Sequence, residues 1–269
     1  MRPHLLSFIA ATTLATAAYA SAWTQDQGNG QAILSASYYG ADQYWDNGGN
    51  KQSQPSYSKY ELNPYLEYGL SDGLTIGTNF YLQHLYQDTG SGSHSSWGLG
   101  DSEFFLRKRL INQDGYALAI EPLIKLPSPE PGSETPRIGS ATPDAALGLS
   151  GGKTFSAYGF THFVDIDTMY RHRFGAPNDQ INISGTLGIN VAPRWTIMPQ
   201  TFLTFRTDSR PTAAFTESPS DDYNLVRLQL SGLYKLSDQT SLQLGAFYDV
   251  DGKNVGLGRG VLLALWRNF

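Results

Sequence analysis

Fifteen charged residues fall at spacings that place them in groups on one side of an extended chain: Lys59, Glu61 and Glu67; Asp101, Glu103, Arg107 and Arg109; Glu121 and Lys125; Asp165, Asp167, Arg171 and Arg173; then Arg206 and Arg227. Side chains two apart on a strand share a face, so each group lines one surface. Lysine and arginine beside aspartate and glutamate can do two things there. They can steer solutes as a selectivity ring, or they can pair across strands and brace a wall. Bracing is the plainer reading, because unpaired charges away from water are costly.

Other chemistry is weakly supported. Gly151-Gly152-Lys153-Thr154 matches the end of a phosphate loop, but Leu147 stands where that pattern needs glycine. Asp249-x-Asp251-Gly252-x-Asn254 offers oxygen ligands without the later glutamate of a calcium loop, and an Asp-Gly hairpin tip explains it better. Asp165 and Asp167 form an acid pair, which Arg171 and Arg173 on the same face are expected to neutralise. His84, His94, His162 and His172 join no local motif with a serine and an acid, although triad members need not be neighbours in sequence. The expectation is a non-enzyme with no catalytic, cofactor-binding or metal residues and no cofactor.

The elements that must hold these groups alternate with period two. Tyr60, Leu62, Leu66, Tyr68 and Leu70 share one face, with Lys59, Glu61, Asn63, Tyr65 and Glu67 opposite. Ile181, Ile183, Leu187 and Ile189 oppose Asn182, Ser184, Thr186 and Asn190 in the same way. The alternation predicts twelve strands, near residues 30–45, 57–70, 74–87, 99–111, 116–127, 143–154, 159–173, 180–190, 195–206, 223–236, 240–250 and 258–269. Short turns at 71–73, 112–115, 155–158, 191–194 and 237–239 take turns with longer loops at 46–56, 88–98, 127–142, 175–178, 207–222 and 251–257.

A soluble sandwich would alternate too, with its greasy faces inward. An all-β, single antiparallel up-and-down transmembrane β-barrel turns them outward to lipid and encloses the polar faces. An even strand count, strands of about 11–14 residues and turns that are short at one end only all favour the barrel. Aromatics gather near strand ends: Tyr68, Trp195, Tyr234 and Phe269 by the short turns, and Tyr38, Tyr57, Phe174 and Tyr223 by the long loops. The chain ends on Phe269 after Val261, Leu263 and Leu265 on one face. That ending resembles the last-strand signal of bacterial outer-membrane barrels, so the barrel-assembly machinery is an expected partner, alongside outer-membrane lipid.

Composition agrees with that class. Charged residues make up 16% of the 269-residue chain, against roughly 25% in soluble domains. The net charge of -5 argues against nucleic acid as a partner. The absence of cysteine removes disulfide scaffolds, cysteine-ligated zinc and thiol catalysis. Met1-Arg2-Pro3-His4, a small-residue apolar run and two Ala-x-Ala patterns, at 18–20 and 20–22, have the layout of a secretory leader. Removal after Ala22 makes residues 1–22 the signal peptide and 23–269 the outer-membrane β-barrel. Residues 23–30 either fold into the lumen as a small plug or, the favoured reading, simply lead into the first strand.

Ala22-Trp23-Thr24-Gln25, Gly28-x-Gly30-Gln31, Lys59-Tyr60-Glu61-Leu62, Glu67-Tyr68-Gly69-Leu70-Ser71-Asp72 and Leu74-Thr75-Ile76-Gly77 resemble XagA-like bacterial outer-membrane proteins. Gly98-Leu99-Gly100-Asp101 and Arg107-Lys108-Arg109-Leu110 resemble the wider family labelled as transporters of the meta-pathway of phenol degradation. The likeness is clearest over residues 22–126. It implies an outer-membrane channel or transporter for small-molecule solutes, aromatic and hydrophobic ones included. A non-conducting surface or assembly protein linked to polysaccharide export, adhesion or biofilm is the first alternative. An outer-membrane lipid-modifying enzyme is the second.

Overall fold

The computed structural model describes residues 22–89, 92–129, 136–140, 142–207 and 222–269. The leader and parts of the loops 88–98, 127–142 and 207–222 lie outside these residues. Twelve strands follow one another: β1 (Gly30–Trp45), β2 (Lys51–Ser71), β3 (Leu74–Asp88), β4 (Ser93–Gln113), β5 (Tyr116–Leu126), β6 (Asp144–Ala157), β7 (Phe160–Arg173), β8 (Gln180–Ala192), β9 (Trp195–Arg206), β10 (Asn224–Lys235), β11 (Thr240–Lys253) and β12 (Val255–Asn268). Each pairs antiparallel with its neighbours in sequence, and β1 pairs with β12 to close the barrel. Closure leaves no free sheet edge, which a lipid-exposed sheet requires.

Two tight turns show why the short connections sit where they do. Asp114-Gly115 and Tyr158-Gly159 have positive φ at both positions, the backbone of a two-residue hairpin whose twist matches its strands. At the other end three expected loops shrink. β2 begins at Lys51, β4 begins at Ser93, and β11 and β12 are joined by a tight turn at Asn254 in place of a loop over 251–257. The polar stretches 51–56 and 93–98 are strand although they lack a greasy stripe, their backbones pairing with β1 and β3.

The alternation sorts the faces. Leu34, Leu62, Leu66, Ile76, Leu106, Ile124, Leu149, Ile166, Leu230, Leu244 and Leu263 are exposed on the outer wall. Lys59, Glu61, Glu67, Arg107, Glu121, Lys125, Arg227, Gln229 and Gln243 are buried within. Tyr38 and Tyr60 stack at 5.1 Å and Tyr60 lies 6.3 Å from His84, the next in the same outward row; Trp97, paired with His84, extends the row and is 74% exposed. Trp195 and Tyr234 meet at 4.7 Å near the opposite end. Tyr57 and Tyr223 depart from the expected belt: both are buried, and both pack in inner clusters, Tyr57 on Tyr39 and Tyr223 beside Trp45.

Residues 22–29 do not simply lead in. Ala22 has no exposed surface, and its N–H donates to Asp165 Oδ2 of β7 at 2.9 Å. The Trp23 ring meets Phe163 edge-on at 6.3 Å and lies over Gly152, where a Cβ would come within 2.5 Å of it. The chain then reaches the far wall. Gln25 N–H donates to Thr75 Oγ1 at 2.9 Å and its side-chain amide donates to Glu67. Gly28 N–H donates to Gly69 C=O, and Gly69 N–H donates to Asn29 C=O. The segment therefore spans the lumen from β6–β7 to β2–β3 at the end where both termini lie. Hydrophobic periodicity carries no sign of it, because an irregular strap has no period.

Candidate functional site in the barrel lumen

A chamber with a cavity volume of about 160 Å³ lies between this strap and the loop end. Its lining mixes Tyr65, Tyr81, Phe105, Leu123, Met169 and Phe202 with charged side chains, five of each sign. The cations are Arg107, Lys125, Arg171, Arg173 and Arg227, and the anions are Asp101, Glu103, Glu121, Asp144 and Asp167.

Register and lumen crossing decide how the charges meet. Arg107 on β4 bonds Glu67 of β2 at 2.9 Å and Glu121 of β5 at 2.8 Å, while Tyr65 Oη donates to Glu67 at 2.7 Å. Its guanidinium also lies over the Phe105 ring, 5.1 Å from the centroid. Lys59 pairs with Glu61 at 2.8 Å, and Gln83 donates to the same Glu61 oxygen. Lys125 bonds Asp101 at 3.2 Å and Asp144 at 2.9 Å. Arg171 crosses to Glu103 at 2.8 Å and also meets Asp144 at 3.3 Å, with Arg173 3.8 Å from Asp144. Arg227 grips Asp249 with two bonds of 2.6 and 3.1 Å and packs over Phe247. Glu103, Lys125, Asp101, Asp144 and Arg171 thus form one chain of ionic contacts around the upper lumen.

Arg109 and Arg206 lie towards opposite ends of the barrel. Arg109 lies at the turn end with its side chain against Gly73. Arg206 borders the loop end, its guanidinium donating to the Asp222 carbonyl at 3.5 Å. Asp165 and Asp167 are not neutralised by Arg171 and Arg173, which are taken up by Glu103 and Asp144. Along a strand, residues four to eight apart on one face are separated by roughly 13–26 Å, so sharing a face did not make them partners.

The loop end is pinned as well. Asp101 Oδ1 accepts from the backbone N–H groups of Ser128 at 3.0 Å and Ser140 at 2.8 Å, one on each side of the β5–β6 connection. Ile138 from that connection is buried among Tyr39, Ala41, Tyr57, Leu85 and Phe247. Asp222 gathers the neighbouring loops: its carboxylate accepts from Asn178 N–H at 2.6 Å and Nδ2 at 3.0 Å, and its carbonyl accepts from Asn254 Nδ2 at 2.7 Å. In the Phe174–Asp179 stretch, burial pushes Asp179 upward, but bonds from Tyr170 Oη, Arg173 N–H and His172 outweigh it and hold the carboxyl at about 2.

Asp144 and Asp249 are the hubs that the charge pattern missed. Asp144 stands at the start of the predicted strand 143–154, directly after Pro143, and Asp249 at the end of the predicted strand 240–250, where it also reads as part of a hairpin tip. Asp249 is saturated by Arg227, so the Asp249–Asn254 motif is a hairpin tip with Asn254 at φ 59. The histidines lie apart. His162 Nδ1 accepts from Asn190 N–H at 3.2 Å, His172 contacts Asp179 at 3.1 Å, and His84 joins the outer aromatic row. Among the described residues no three of His, Asp and Glu converge as metal ligands.

A closed twelve-strand antiparallel barrel with an apolar exterior and a charged lumen has the architecture of outer-membrane β-barrels. Among solved structures the chain is similar to the COG4313 outer membrane channel from Pseudomonas putida F1, with TM-score 0.69 and 14% identity over 91% of this chain and 97% of that one. The NanC porin gives TM-score 0.52 and 8% identity over 87% and 98% of the two chains. The translocator domain of autotransporter NalP from Neisseria meningitidis gives 0.51 and 8% over 91% and 90%. At these identities the likeness is one of fold. No family profile matches the chain, and no curated protein matches it in sequence.

Proposed function

We propose that the barrel sits in a bacterial outer membrane and passes small, weakly polar molecules, aromatic ones included, through the chamber between its two closures. The observation that carries this reading is the chamber lining: aromatic and aliphatic side chains beside charges that balance, five against five. A pore selecting ions presents an excess of one sign. Here each lining arginine or lysine is engaged with a carboxylate, so the field that a passing solute meets is that of dipoles and ring faces. The likeness in fold to outer-membrane channels supports the same reading. The fifteen charged residues then act chiefly as wall braces. In this reading the leader directs export, and Phe269, whose backbone pairs with Gly30, presents the strand end to the assembly machinery.

The strap across the lumen and the pinned β5–β6 connection, which narrow it, favour a second reading, a non-conducting surface or assembly protein. Reconstitution separates the two. The channel reading expects liposomes containing the barrel to take up a small phenolic solute faster than a sugar of equal mass, with low ionic conductance in planar bilayers. Uptake of neither solute above protein-free vesicles would overturn it and leave the second reading.

A further inference from the structure

A layer without charge separates ionic contacts of the lumen into two tiers. Counted at every second position, the inward residues run Asn63-Tyr65-Glu67 on β2, Glu103-Phe105-Arg107 on β4, Glu121-Leu123-Lys125 on β5 and Asp167-Met169-Arg171 on β7. Each run sets one aromatic or apolar side chain between two polar ones, about 6.6 Å away on either side along the strand. The antiparallel order sorts the charges by level. Arg107 with Glu67 and Glu121 lies towards the strap, whereas Arg171 and Lys125 with Glu103 and Asp144 lie towards the loop end.

The middle members meet one another. Ile33 of β1, Tyr65, Phe105, Leu123 and Ala146 of β6 belong to one buried cluster, with Met169 packed against it. Gly77 of β3 has no side chain, and the Phe105 ring lies over it to stack on Tyr65 at 5.8 Å. Beyond β1, Leu262 and Ala264 of β12 join the same cluster. An apolar collar therefore follows the inner wall from β12 round to β7. On the wall of a wide, water-filled pore such side chains would be wetted. Ile33 and Ala264 are 1% exposed and Leu123 is 7% exposed, so the lumen is drawn tight at this level.

An ion entering the collar sheds water and finds no replacement. The cations and carboxylates of the two tiers are already bonded to one another, and dehydrating an unpaired charge is costly. A weakly polar solute loses little water there and gains contact with the Tyr65 and Phe105 rings. Met169 is the member built to make way, an unbranched thioether with three rotatable bonds. Its methyl group lies over Gly148, where a Cβ would come within 3.2 Å of it.

Building on the channel reading, we propose that this collar is the selectivity barrier of the barrel: it stops hydrated ions between the two tiers and passes weakly polar solutes, with Met169 as the side chain that moves aside.

Ion current and solute uptake test the collar and the channel separately. Leu123→Asn and Met169→Gln exchange apolar for polar at nearly constant volume. Each is placed in the Gly152→Val barrel, whose strap is crowded away from the wall, and KCl conductance is read in planar bilayers, with folding checked by heat-modifiable migration on gels. Either change should raise conductance roughly threefold or more over Gly152→Val alone. Conductance no higher than that of Gly152→Val in whichever variants fold would overturn the collar, even where wild-type liposomes take up the phenolic solute. Raised conductance with no uptake by wild-type liposomes would keep the collar as an ion barrier and overturn the channel reading instead.

Discussion

At the loop end, the β5–β6 connection is held by Asp101, a carboxylate whose charge is matched by Lys125 and relayed through Asp144 to Arg171. At the opposite end, the strap of residues 22–29 is held by backbone bridges to Gly69, by Gln25, and by the acid pair on β7. One closure is made of side chains that the folded wall already supplies. The other depends on residues 22–29, a segment outside the wall. The contrast shows that one lumen can be narrowed by an ionic network and by an added segment held through hydrogen bonds, and it separates what braces the wall from what only fills it.

The contrast breaks first at Arg107, the wall brace beneath both closures. Arg107→Met leaves Glu67 and Glu121 buried without a cation and should cost about 3–5 kcal/mol, read as a lower urea midpoint in a detergent-refolded barrel. Asp101→Ala unpins the loop-end closure. Loss of two backbone bonds to a charged acceptor should cost roughly 2–3 kcal/mol and raise single-channel conductance. Gly152→Val crowds the Trp23 ring and should eject the strap at a cost of about 1 kcal/mol. Its signature is a red shift in tryptophan emission and a conductance gain at unchanged loop-end behaviour. If Gly152→Val and Asp101→Ala open the barrel equally and non-additively, the two closures are one gate and the contrast fails.

The smallest effect is on pH. Asp179 is held at about 2 when folded, below the ordinary range of a free carboxyl. A depressed folded value gives stability that is complete above the unfolded value and is lost as pH falls through the folded one. The bonds to Tyr170, Arg173 and His172 should therefore persist at neutral pH and loosen between about pH 4 and pH 2. Amide exchange at Arg173 follows this directly, and Asp179→Asn should remove the dependence.

Strand number, closure and the outer face were legible in sequence, because lipid enforces strict alternation and residues such as Leu62 and Leu66 or Ile181 and Ile183 obey it. Strand ends were less so: Lys51 to Ser56 and Ser93 to Gly98 carry no apolar stripe, yet pair in β2 and β4. Which charges lie inside was legible, but their pairing was not. Arg171 reaches Glu103, a residue 68 positions away and not on an adjacent strand, and that choice is set by the curvature of the barrel. The strap was hidden for a different reason: it is fixed by single bonds and by the hollow at Gly152, and neither repeats.

β2 and β4 run 21 residues each, whereas β5 has 11 and β9 and β10 have 12. Strands of about 10 residues suffice to cross the apolar band, so the paired backbone itself extends further on the β1–β4 flank, a rampart of sheet on one side of the mouth.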